Sequence, residues 1–121
     1  MSRILIAEDD RANRRLAQLV LQEAGHSVET VNDGFQALDA LREGAYDLIL
    51  LDIMMPGLTG FEVSETVRGS GSANASTPII AITAYMQEFE PERFARAGFN
   101  YVISKPYAVD ELKGIVAHHL R

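Results

Sequence analysis

Asp52 closes the apolar run Asp47-Leu-Ile-Leu-Leu-Asp52 and is followed at once by Ile53-Met54-Met55-Pro56-Gly57, a carboxylate placed where a buried strand breaks into a loop. Three other polar sites repeat the pattern: Glu8-Asp9-Asp10 after Arg3–Ala7, Thr83 after Pro78–Ile82, and Lys105-Pro106 after Tyr101–Ser104. Ligands of open α/β sheets bind outside the carboxyl ends of the strands, so these side chains can converge although the chain scatters them widely.

Gathered there, Glu8, Asp9 and Asp52 would repel one another. Unit charges ~4 Å apart interact by about 1 kcal/mol in water and by about 4 kcal/mol at an effective dielectric near ~20. Lys105 alone does not compensate three carboxylates, so either a carboxyl keeps its proton or a cation enters. Hard oxygen donors with incomplete protein coverage suit Mg²⁺, which retains waters and favours sites that a phosphate completes. In such a site Lys105 offers a point charge to a phosphoryl oxygen and Thr83 a hydroxyl donor. Asp52 offers a carboxylate nucleophile able to take the phosphoryl group.

Taken singly, each residue has a plainer reading. Asp9 or Asp10 could cap a helix, Thr83 could be satisfied by backbone, and Lys105 could be a surface lysine. Only their combination points to phosphoryl chemistry. His26, His118 and His119 lack metal-ligand spacing, and the adjacent Met54 and Met55 point apart, which argues against a soft-metal site.

The elements that must carry these residues alternate in period. Strands are expected at about 3–7, 27–31, 47–51, 78–82 and 100–104. Leu16, Leu19 and Val20 mark a helix ending at Gly25; Phe35, Leu38 and Leu41 mark a second ending near Gly44; Phe61, Ser64 and Val67 mark a third. Pro91 to Ala97 reads as a helix entered at a proline, and Val109, Leu112, Val116 and Leu120 share one face of a terminal helix. The segment Tyr85 to Phe89 carries no clear pattern. Gly69 to Thr77, small and polar with almost no apolar anchor, reads as a mobile loop. This order implies a mostly parallel sheet covered by helices on both sides.

Composition bounds the partners. The chain has 121 residues, 47% of them hydrophobic, which fits one folded domain. Eleven Lys and Arg against 17 Asp and Glu leave a net charge of -6 with no basic stripe, so direct nucleic-acid binding is not expected. Cysteine is absent, which removes disulfides and thiol chemistry. Neither a signal-like apolar segment nor a membrane-length run is present, and a cytoplasmic protein is the default expectation.

Over essentially its whole length the chain resembles the receiver domain of bacterial two-component response regulators. The matching motifs are Glu8-Asp9, Asp52 in Leu-Asp-Ile-Met-Met-Pro-Gly, Gly60, Thr83-Ala84 and Lys105-Pro106, in order and at family-like spacing. The resemblance implies a flavodoxin-like, doubly wound five-stranded parallel sheet of order 2-1-3-4-5 with five helices, as one receiver domain over residues 1–121. It implies Asp52 as phosphoacceptor, Lys105 as the partner of the phosphoryl group, and Thr83 as a hydroxyl that moves toward it. Mg²⁺ would be held by Asp9, Asp52 and the backbone carbonyl of Met54, with Glu8 acting through water; Asp10 would be a neighbour only. The implied donor is a phosphohistidine on a sensor histidine kinase or a histidine phosphotransfer protein, and the implied output is a contact with a downstream protein. The chain would be either a stand-alone receiver or one cut from a longer protein such as a hybrid kinase. By the same analogy Arg14, Arg15 and Gln18 on the first helix would meet the kinase.

One position departs from the pattern. Many receivers carry Tyr or Phe three residues before the lysine, and Val102 stands there; the neighbouring Tyr101 should point to the opposite face of the strand. The response would then run through Thr83 and the segment Tyr85 to Phe89. Two rival readings are weaker. An Mg²⁺-dependent phosphatase would need a second acid two residues after Asp52, where Met54 stands. A phosphorylation-independent interaction module would have no use for the metal and phosphoryl ligands that are all present.

Overall fold

A computed structural model describes all residues, Met1–Arg121. The chain alternates strand and helix: β1 (Arg3–Ala7), α1 (Arg11–Glu23), β2 (Ser27–Val31), α2 (Gly34–Glu43), β3 (Leu48–Asp52), α3 (Gly60–Arg68), β4 (Ile79–Thr83), α4 (Pro91–Ala97), β5 (Tyr101–Ser104) and α5 (Val109–His119). The strands form one parallel sheet in the order β2-β1-β3-β4-β5.

Every residue of β3 and β4 is buried, the expected result of covering a sheet on both faces. Alternate side chains feed two cores. On one face Leu5, Ile49, Leu51 and Ile79 pack with residues of α2, α3 and α4. On the other, Ile4, Ile6, Leu48, Leu50 and Ile80 pack with α1 and α5. No helix is long and apolar enough to cross a membrane.

Local chemistry sets the helix starts. Asp10 caps α1 by accepting from the Asn13 amide at 2.8 Å, and Asp33 caps α2 by accepting from Gln36 at 2.8 Å. Thr59 and Glu62 form a reciprocal capping box on α3. Pro91 opens α4, and Gly98, at φ 100°, closes it in the left-handed conformation.

Several expectations need correction. Leu16 and Leu19 face solvent; of the expected positions Val20 is buried, and α1 completes its inner face with Ala17 and Leu21. Phe35 is also exposed, because α2 turns Ala37, Leu38 and Leu41 inward, and Val109 lies outside the buried face of α5 formed by Leu112 and Val116. The segment Gly69 to Thr77 is anchored, not loose. Its anchor is polar: the fully buried Asn74 amide donates to the carbonyls of Leu41 and Gly44, each at 2.7 Å, and its oxygen accepts from the Tyr46 amide at 2.9 Å. A search for apolar anchors overlooks such a residue. The unassigned segment after β4 holds a short 3₁₀ turn, Met86–Glu88, and then Phe89, whose ring meets Phe61 edge to face at 5.0 Å.

Candidate functional site at the carboxyl ends of the strands

Strand register brings the distant acids level. Ala7 pairs with Leu51, so Glu8 and Asp52 are the next residues on adjacent strands, and Asp52 in turn lies opposite Ile82 of β4. Thr83 pairs with Ser104, which carries Lys105 to the same rim, and the Lys105 amide donates to the Thr83 carbonyl at 2.9 Å. β3 and β4 each run one residue further than expected, making Asp52 and Thr83 the last strand residues. Their backbones are therefore held by the sheet.

Glu8, Asp52 and Lys105 rim an open cleft of about 350 Å³ with Asp9, Asn13, Met54 and Tyr85. Lys105, joined to Pro106 by a cis peptide bond, places its Nζ 2.5 Å from Glu8 Oε1 and 3.0 Å from Asp52 Oδ2. The other Asp52 oxygen accepts from the Met54 amide at 3.1 Å, and Glu8 Oε2 accepts from the Asp10 amide at 3.1 Å. Asp9 is exposed, and its carboxylate has no protein partner.

The electrostatics reflect two buried carboxylates sharing one ammonium. Burial, reinforced by the adjacent Asp52, holds the Glu8 carboxyl above its ordinary value in spite of Lys105. Burial alone would lower Lys105, but its contacts with Glu8 and Asp52 hold the ammonium above its ordinary value. Glu8, Asp9 and Asp52 each offer one oxygen within 4.8 Å of the others. That donor set, all hard oxygens with one carboxylate unengaged, fits a divalent cation such as Mg²⁺.

Thr83 is part of the constellation but is fully buried beneath the rim, and Ala84 lines the cleft in its place. Its hydroxyl oxygen accepts from the Tyr85 amide at 2.9 Å. Tyr101 is exposed with its ring 5.6 Å from that of His119, whereas Val102 packs against the opposite core, as strand alternation requires. Arg14 serves the site from within: its guanidinium donates to the carbonyls of Glu8 at 3.0 Å and Asp9 at 3.4 Å. The available signal was its place in the first turn of α1, where side chains lean back toward the preceding loop. Arg15 and Gln18 stay on the surface, paired with each other at 3.4 Å.

This chain belongs to the response regulator receiver domain family, whose profile matches residues 4–117. Over 120 residues it is 38% identical to the uncharacterized transcriptional regulatory protein YkoG of Bacillus subtilis, covering 98% of this chain and 50% of YkoG. It spans still less, 11–18%, of the next curated relatives. The chemotaxis response regulator CheY4 of Vibrio cholerae superposes with a TM-score of 0.92 at 28% identity, over 98% of both chains. The receiver domain of sensor histidine kinase PA1611 from Pseudomonas aeruginosa superposes with a TM-score of 0.90 at 31% identity, over 98% of this chain and 97% of that one. That structure holds a magnesium ion coordinated in its active site cleft.

Proposed function

We propose that the protein is a phosphoacceptor switch that takes a phosphoryl group onto Asp52 from a phosphohistidine of a sensor histidine kinase or histidine phosphotransfer protein. The observation that carries this reading is the Lys105 ammonium shared by Asp52 and Glu8 beside the unpaired Asp9 carboxylate. Held by Asp9, Asp52 and the Met54 carbonyl, with Glu8 acting through a water, Mg²⁺ would neutralise charge on the transferring group.

An Asp52 oxygen attacks phosphorus as the phosphorus–nitrogen bond of the donor breaks, and the departing imidazole takes up a proton. The Met54 amide orients the carboxylate through its 3.1 Å hydrogen bond. Lys105, already 3.0 Å from Asp52 Oδ2, passes that hydrogen bond to a phosphoryl oxygen while Glu8 keeps the ammonium in place. The Thr83 hydroxyl oxygen is occupied by the Tyr85 amide, so its hydrogen is free for the new phosphoryl group. Movement of Thr83 then pulls on the backbone of Tyr85 and the 3₁₀ turn beyond it. The acyl phosphate thereby biases an equilibrium between two arrangements of this surface, and a downstream protein reads the difference.

Slow release of phosphate to water in the same cleft gives the switch a lifetime without making the protein an enzyme. Residues 1–121 act as one receiver unit in the cytoplasm, through protein contacts and not through nucleic acid or membrane, in keeping with the net charge of -6.

Intact mass after incubation with acetyl phosphate tests the reading. One phosphoryl group gained by the native chain, only with Mg²⁺ and not by Asp52→Asn, is the expected result. No gain from either acetyl phosphate or a phosphorylated histidine kinase, with no Mg²⁺ binding, would replace it with an interaction module whose cleft is inactive.

A further inference from the structure

Between Asp52 and α3 runs the loop that carries Met54. Its ends are held by hydrogen bonds: the Met54 amide to Asp52 and the Gly60 amide to the Ile53 carbonyl at 2.9 Å. Its centre is not, since Met55 to Leu58 make no hydrogen bond to the rest of the protein. Packing must fix that stretch. Met55 is buried in the core beside α2 and α3, and two glycines allow a reciprocal contact with the start of α2. A Cβ on Gly57 would lie 2.5 Å from the Phe35 ring, and a Cβ on Gly34 would lie 2.6 Å from Leu58. Gly57 also takes φ 80°, a left-handed conformation that suits glycine. Phe35 is 58% exposed, so much of the side chain meets solvent and it contributes little to the core.

We infer that Phe35 is a positioning residue for the phosphoryl site: with its ring laid on Gly57, and Leu58 laid on Gly34, it braces the loop whose Met54 carbonyl joins Asp9 and Asp52 as a ligand. The inference rests on the functional reading above and extends it to a residue remote from the reacting atoms. A side chain that orients a ligand acts on metal affinity by restricting the ligand's alternatives, even where it adds little to global stability.

The test uses the full chain, Phe35→Ala and Phe35→Tyr, with Mg²⁺ titrated calorimetrically, exchange of the hydrogen-bonded Met54 and Gly60 amides followed without metal, and thermal melting as a control. Phe35→Ala is expected to weaken Mg²⁺ binding roughly tenfold, the low end for loss of a ligand-orienting group. It should also speed exchange at both amides and leave the melting temperature nearly unchanged, and phosphoryl uptake should recover at saturating Mg²⁺. Phe35→Tyr keeps the ring and should restore native behaviour. Native affinity and native exchange in Phe35→Ala overturn the inference. So does an affinity loss that only tracks unfolding, or slowed transfer from a kinase with Mg²⁺ affinity intact, which would make Phe35 a partner contact. If the native chain itself binds no Mg²⁺, the functional reading fails, and the exchange data still decide whether the brace exists.

Discussion

At the amino ends of β3 and β4, Asn74, Tyr46, Thr77 and Arg68 bury polar groups with every one answered; at the carboxyl ends of β1 and β3, Glu8 and Asp52 share the single Lys105 ammonium with the unpaired Asp9 carboxylate beside them. Asn74 uses both amide hydrogens and its oxygen, and Arg68 donates to the carbonyls of Ala75, Thr77 and Gly98 as well as to Asn100, with no acid among its partners. No buried side-chain nitrogen or oxygen is left without a partner. The contrast is therefore one of charge, not of missing hydrogen bonds. Groups with matched partners, Arg68 being the one charge among them, hold loops in place, whereas like charges held close by strand register would keep the capacity for a cation and a phosphoryl group that the proposed function requires.

Substitutions at the two ends should separate these roles. The largest effect is expected from Asp52→Asn, which abolishes phosphoryl uptake by intact mass. It should leave melting temperature unchanged or raised in the absence of metal, because one of the crowded charges is gone. The reverse pattern belongs to Asn74→Ala. That change strands the carbonyls of Leu41 and Gly44 and the Tyr46 amide, and urea denaturation should show a loss of about 3 kcal/mol or more with uptake per folded molecule intact. An Asn74→Ala protein of native stability would break the comparison.

Arg14→Met sits between the two. Losing the guanidinium that ties the Glu8 and Asp9 carbonyls should weaken Mg²⁺ binding several-fold in calorimetry, and Arg14→Lys should recover only the part due to charge. At neutral pH the smallest effect is the titration of Tyr46. Burial, aided by the hydrogen bond its hydroxyl donates to Glu29, pushes this phenol up to about 12 from an ordinary 10.0. The unfolded chain gives up that proton near pH 10 while the folded chain keeps it, so Tyr46 leaves stability unaffected below that range and lowers it as pH rises toward 12. Ultraviolet titration should show a late-ionising tyrosine that disappears in Tyr46→Phe, and that variant should decline less over the same window.

The comparison also explains what could be read early. Short Val-, Ile- and Leu-rich runs ending in acids, a hydroxyl or a lysine announced the strands and the chemistry of their ends, because strand period and strand termination are local properties. Thr59 with Glu62, and Pro91, likewise act over a few residues at helix starts. Helix faces were harder: Val20 stands at helical spacing from Leu16 and also belongs to the helical set of Ala17 and Leu21, and only the sheet beneath chooses between these companions. Asn74 was unreadable for a related reason, since its partners lie about thirty residues away and its composition matches that of any loop.

Residue types and their order thus determined the parallel α/β architecture, the acids available to a metal, and Asp52 as the candidate nucleophile. Tertiary structure alone decided that Lys105 meets Glu8 across 97 positions, that Thr83 lies under the rim, that Arg14 turns inward, and that Phe35 rests on Gly57. The division follows from range: periodicity and capping are settled within a few residues, whereas ion pairing and burial depend on which distant segments the sheet sets side by side.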